Sequence, residues 1–172
     1  MRALALCGTS AAVITLLTFS TITLAVGTAG ANPGANDATR VVLDATFRDC
    51  DFSVTSTPPM VPSPMLGTGW VDIRHAGSTA VAEVHLDVPN DPGTHYNVGL
   101  IEEPRQSSAT CGPGDPGTAF TGLDTDAGGV GTATVQDNVR ASTTGVWVII
   151  ERPNAHSQNP AEYYTSEFVA SV

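Results

Sequence analysis

The chain has 172 residues and a formal net charge of −10, and 14% of its residues are charged, against about 25% in an ordinary globular protein. Lysine is absent, and seven arginines face 17 acids. That balance excludes nucleic acid and anionic membrane surfaces as partners, since both need clustered positive charge. It also argues against a strongly charged disordered chain.

The first element is an export signal. Arg2 supplies a positive start, an apolar stretch runs from Ala11 to Val26, and Ala29-Gly30-Ala31 offers the small-x-small pattern of a signal peptidase site. The stretch is diluted by Thr15, Thr18, Ser20, Thr21 and Thr23, and it is shorter than the ~20 apolar residues that span a bilayer. The expected organisation is a signal peptide over 1–31 and one domain over 32–172, secreted or held in the cell envelope. An uncleaved anchor is the alternative. No second apolar run reaches membrane length, so the mature chain carries no expected transmembrane segment.

Cys7 leaves with the signal, and Cys50 and Cys111 remain as a pair in an oxidising compartment. A disulfide between them closes a loop worth roughly 4 kcal/mol on the chain-entropy account. The domain needs it: Leu, Ile, Val and Phe make up only 29 of the 141 residues after position 31, close to the range of disordered chains. A two-thiol redox or metal site would prefer the close C-x-x-C spacing, which is missing.

Period-2 alternation with turn signals about every ten residues predicts antiparallel strands. Val41, Leu43, Ala45 and Phe47 give the first. The connection Thr55–Gly69 follows; its prolines at 58, 59, 62 and 64 forbid a central strand, and Met60, Val61, Met65 and Leu66 give it unusual apolar content. Such a loop either packs on the fold or forms an exposed lip that docks a partner or an apolar ligand. Val71 and Ile73 open a second strand. Ala80, Ala82, Val84, Leu86 and Val88 share one face of a third, opposite Glu83, His85 and Asp87. Gly77-Ser78 fits a two-residue type II′ turn, which pairs residues whose numbers sum to 155 and sets Val71 against Val84, with Asp72 facing Glu83. That like-charge pair needs compensation, and Arg74 is the nearest candidate.

Tyr96, Val98 and Leu100 mark a fourth strand. The stretch Glu102–Gly117, with Cys111 and several Gly and Pro residues, reads as a structural loop. Phe120–Thr125 and Val130–Val135 read as a hairpin about Asp126-Ala127-Gly128-Gly129. Gly145–Glu151 is apolar on both faces, the pattern of a central strand, and Tyr164–Val172 closes the domain. The fold expected is all-β: a single antiparallel β-sandwich, immunoglobulin-like, with seven to eight strands and one disulfide.

Catalytic motifs do not emerge. The sequence has no G-x-S-x-G, H-E-x-x-H, P-loop or dinucleotide fingerprint, and its four histidines are scattered. Metal binding is the better chemical option: the register gathers Asp72, Glu83, His85 and Asp87 on one outer face, three oxygen donors and an imidazole suited to Ca²⁺ or Zn²⁺. The segment Leu123–Gly129 begins like a calcium loop, but Gly128 stands where an acidic ligand belongs, and aspartates around a glycine turn are ordinary turn chemistry.

Several segments resemble the small exported β-sandwich proteins of mycobacterial type: His95–Ile101, Cys111–Gly117, Thr125–Gly131 and Gly145–Ile150. The resemblance implies the fold and export, and assigns no catalytic residues. The function expected is therefore a binding or interaction module for an envelope or host protein or an apolar ligand, docking through Met60, Val61, Met65 and Leu66. A Ca²⁺- or Zn²⁺-binding exported protein using Asp72, Glu83, His85 and Asp87 is the alternative, and a secreted hydrolase comes third.

Overall fold

Nine strands form from the alternating segments: β1 (Thr39–Asp44), β2 (Thr68–Ala76), β3 (Thr79–Asp87), β4 (His95–Glu103), β5 (Thr118–Asp124), β6 (Val130–Asn138), β7 (Gly145–Arg152), β8 (Glu162–Ser166) and β9 (Ala170–Ser171). The structure is a computed structural model that describes residues 38–56 and 66–172. The expected signal peptide, and Met60, Val61 and Met65, lie outside the described residues.

The β2–β3 hairpin has the register that the alternation requires. Val71 pairs with Val84 and Ile73 with Ala82, and every pair sums to 155. Gly77 sits at φ 64° in the turn, a conformation that glycine adopts without a Cβ penalty. Ala80, Ala82, Val84, Leu86 and Val88 are all buried. A slip of one residue would place Glu83, His85 and Asp87 in the core instead.

All pairing between these strands is antiparallel, and hydrogen bonds run continuously in the order β5-β4-β7-β8-β1-β2-β3-β6, with β9 beside β7. β1 makes the path continuous. Thr39–Val42 pair with β2, and Leu43 and Asp44 then pair with β8. One strand thus serves two sheets, and the architecture is closer to a barrel than to the two separate layers expected. The strand count also corrects the expected seven to eight: eight strands lie on the path and a two-residue strand lies off it.

A second correction concerns residues 118–138. The turn at Asp126–Gly129 forms, and Asp126 Oδ1 accepts from the amides of Gly128 and Val130 at 2.7 and 3.0 Å. The flanking strands do not pair with each other: β5 pairs with β4, and β6 with β3. The turn is an arch that carries the chain from one side of the core to the other. Alternation could not reveal this, because it fixes which face is buried and not which neighbour is chosen.

The main core is built from the inward faces: Val41, Leu43, Val71, Ile73, Tyr96, Val98, Leu100, Leu123, Val146, Val148, Ile150 and Tyr164, with the β3 residues. The Cys50–Cys111 disulfide forms, with Cα atoms 5.6 Å apart. It joins the segment after β1 to the β4–β5 loop, outside this core, and does not cross between facing strands as an immunoglobulin bridge does. No helix among the described residues is long and apolar enough to cross a membrane.

Candidate functional site

β7 reads GVWVIIER and is buried on both faces until its last two residues. Val146, Val148 and Ile150 enter the core; Trp147, Ile149 and Glu151 face outward. A sheet face carrying Trp and Ile needs a cover, and two loops supply it. Residues 45–56 fold back over β7 and β8: Phe47 packs edge-on against Tyr163 at 4.9 Å, whose hydroxyl donates to Ala45 O at 2.8 Å. Phe52 packs against Trp147 at 5.5 Å, with the Arg48 guanidinium 4.0 Å from its ring centre. Ile101, Trp147 and Ile149, with Phe52, Cys111, Phe120 and Val169, form a second apolar cluster outside the barrel.

The β4–β5 loop is the other cover, and Arg105 holds it together. Its guanidinium donates to Thr110 O, Pro116 O and Gly117 O at 2.7, 2.7 and 2.8 Å. Asp115 accepts from Gly112 N at 2.7 Å. The disulfide fastens this loop to the 45–56 segment. Gly99 then decides how Phe120 lies: a Cβ there would come within 2.6 Å of the Phe120 ring and 3.1 Å of Ile149. The missing side chain lets the ring lie across β4 toward β7.

Between the disulfide, Pro113, Phe120 and Ile149 remains an apolar depression of about 320 Å³, with Glu151 on its rim. A second depression of about 240 Å³ shares Glu151 and is lined by Asn97, Asn154, Ser157, Gln158 and Asn159, with Arg152, which is held by Asp91 and Glu162, also in its wall. Glu151 therefore stands between an apolar chamber and an amide-lined one. Asn97 and Tyr163 are its neighbours across the sheet. Burial pushes its carboxyl above the usual range, with no charge among the described residues to oppose the shift. A third depression, about 480 Å³, lies on the far side of the β4–β5 loop beside Arg105 and Arg140. Both arginines there are engaged, Arg140 donating to Glu102 at 2.7 Å.

The remaining buried carboxylates fix structure. Glu162 accepts from Tyr96 Oη at 3.0 Å, from Leu66 N at 3.1 Å and from the Tyr164 hydroxyl, and lies 3.5 Å from Arg152 Nε. Arg152 also bonds Asp91 at 3.0 Å. Burial first, and the Glu162 charge with it, push both tyrosine hydroxyls well above their usual value. Glu103 accepts from Trp147 Nε1 at 3.0 Å. None of these acids carries a local sequence signal, because every partner except Tyr164, two residues from Glu162, comes from another strand or loop.

The proposed metal ligands are placed as follows. Asp72 is held by Arg40, whose Nε and Nη2 donate at 2.8 and 2.7 Å. That guanidinium holds the Asp72 carboxyl below the usual range. Glu83 lies 3.6 Å from Arg74 and 3.6 Å from His85 Nε2. His85 stacks on Trp70 at 4.9 Å, and Asp87 is exposed at the end of β3. Arg40, from a strand the hairpin register does not include, thus shares with Arg74 the compensation of the Asp72–Glu83 pair. Among the described residues, no group of three His, Cys, Asp or Glu side chains is disposed to hold a metal ion. Leu66, the described member of the expected docking set, is exposed.

Comparison with protein families, with curated proteins and with solved structures finds no match to this chain.

Proposed function

We propose that the protein is an exported binding module whose contact surface is the outer face of β7 and β4, between the disulfide-linked loops. One observation carries this reading: an apolar depression walled by a covalent bridge opens beside an amide-lined one. Ligand sites are typically concave and mostly apolar, with a few convergent polar groups. Export is supported by the signal-like first 31 residues and by the disulfide, which persists in oxidising compartments.

The connection 55–69, with exposed Leu66, is a second proposed contact. Pull-down from envelope extracts tests both surfaces. Ile149→Asp, with its fold checked by circular dichroism and melting because Ile149 is buried, should abolish capture if the β7 face is used, and deletion of residues 58–66 should abolish it if the connection is used. Capture undiminished by either change would refute the reading. The Ca²⁺ or Zn²⁺ alternative predicts a thermal shift with those ions that EDTA reverses; a native-state ligand at 100 times its dissociation constant adds about 2.7 kcal/mol.

A further inference from the structure

Glu151 has a half-buried position, two different chambers beside it and, among the described residues, no cation paired with it; Arg152 in the same wall is held by Asp91 and Glu162. All six arginines among the described residues are engaged elsewhere: Arg40 with Asp72, Arg48 with Asp44, Arg74 with Glu83, Arg140 with Glu102, Arg152 with Asp91 and Glu162, and Arg105 with backbone carbonyls. Lysine is absent from the sequence, and residues 57–65 include no charged side chain. The Tyr163 hydroxyl across the sheet already donates to Ala45 O. A carboxylate partly removed from water without a partner is unfavourable, so the chain holds here a negative charge that an outside cation would complement.

We propose that this site binds an extended peptide, with a basic side chain paired to Glu151, an apolar side chain two residues away, on the same face of the extended chain, in the Phe120–Ile149 depression, and backbone amides against Asn97 and its amide-bearing neighbours. The inference deepens the binding-module reading and rests on it. Asn and Gln side chains both donate and accept, which suits a peptide main chain. The formal charge of −10 draws a basic segment toward the surface and speeds its encounter. An acidic or neutral ligand would leave Glu151 desolvated and unpaired, so the site discriminates against it.

The test uses a panel of capped hexapeptides carrying one Arg or Lys among varied apolar residues, with matched citrulline or acetyl-lysine peptides, titrated by calorimetry and NMR. Wild-type protein should bind cationic members at least tenfold more tightly than their neutral counterparts. That ratio should fall to near one in Glu151→Gln, whose fold is checked by circular dichroism and melting. Free arginine amide should bind more weakly than the peptides. Equal binding of neutral and cationic peptides, with loss in an Ile149→Asp variant shown to be folded by the same checks, would overturn the charge assignment and leave the binding module standing. Free arginine amide binding as tightly as the peptides would overturn the peptide assignment. No binding of any member at millimolar concentration would overturn this proposal, while capture from envelope extracts would still report on the module itself.

Discussion

Glu151 and Gly99 make opposite demands on the same sheet face. Because burial raises the Glu151 carboxyl, the folded chain holds that proton more tightly than the unfolded one. Its favourable contribution is complete below about pH 4 and is lost as pH rises through the folded value. Glu103 and Asp137 are shifted upward too, first by burial; Asp72 and Asp126 are shifted downward, by Arg40 and by backbone amides respectively. Glu151→Gln should therefore raise the melting temperature at pH 7 and leave it unchanged near pH 4. An unchanged or lower value at pH 7 would contradict the desolvation argument. At Gly99 the constraint is steric. A Cβ at this position would stand 2.6 and 2.7 Å from Phe120 ring atoms, so Gly99→Val should cost about 1–3 kcal/mol, measured by urea unfolding. Phe52 carries a backbone constraint as well, at φ 63°, held by Asp49 O accepting from its amide at 2.9 Å.

At the scale of elements, the β2–β3 hairpin was readable because alternation and turn chemistry agree over eighteen positions paired in one register. The φ of 64° at Gly77, with nothing within 4 Å of a Cβ there, makes the turn a purely backbone test. Gly77→Val should destabilise by about 1–2 kcal/mol and Gly77→Asn by less, read as urea midpoints. β7 was equally readable as a strand with two apolar faces, but what covers its outer face was not, since Phe52 and the disulfide loop arrive from distant parts of the chain. The buried acids were hidden for the same reason. Glu162 in sequence is one more carboxylate; in the fold it ties Tyr96, Tyr164, Arg152 and the Leu66 amide together. Glu162→Ala leaves Arg152 poorly compensated and should cost about 3–5 kcal/mol, again by chemical denaturation.

At the scale of the molecule, the cysteine pair was legible from the cysteine count and the expected export, whereas sheet topology was not. Residue patterning says that Val41 and Leu43 face inward and says nothing of the handover between their pairing partners. The divergence of β5 from β6 escaped for the same reason. Because the bridge spans 61 residues, replacing both cysteines with alanine should lower stability by about 4 kcal/mol. The barrel core does not include the bridge, so a folded variant with a lower urea midpoint is the expected result; an unchanged midpoint would show that the linkage does not limit the unfolded ensemble.

The double allegiance of β1 bears on how the molecule comes into being. Asp44 meets Thr165 across 121 positions of sequence, where the threonine hydroxyl donates to the carboxylate at 3.1 Å. A chain made from its amino end offers Leu43 and Asp44 early and their partners almost last. Until then one flank of that strand stays without its mate, and contacts this remote form slowly because loop closure precedes their reward. The seam beside β8 is thus the last stitch of assembly, and a nascent chain halted before residue 162 would present an open margin to any neighbouring strand.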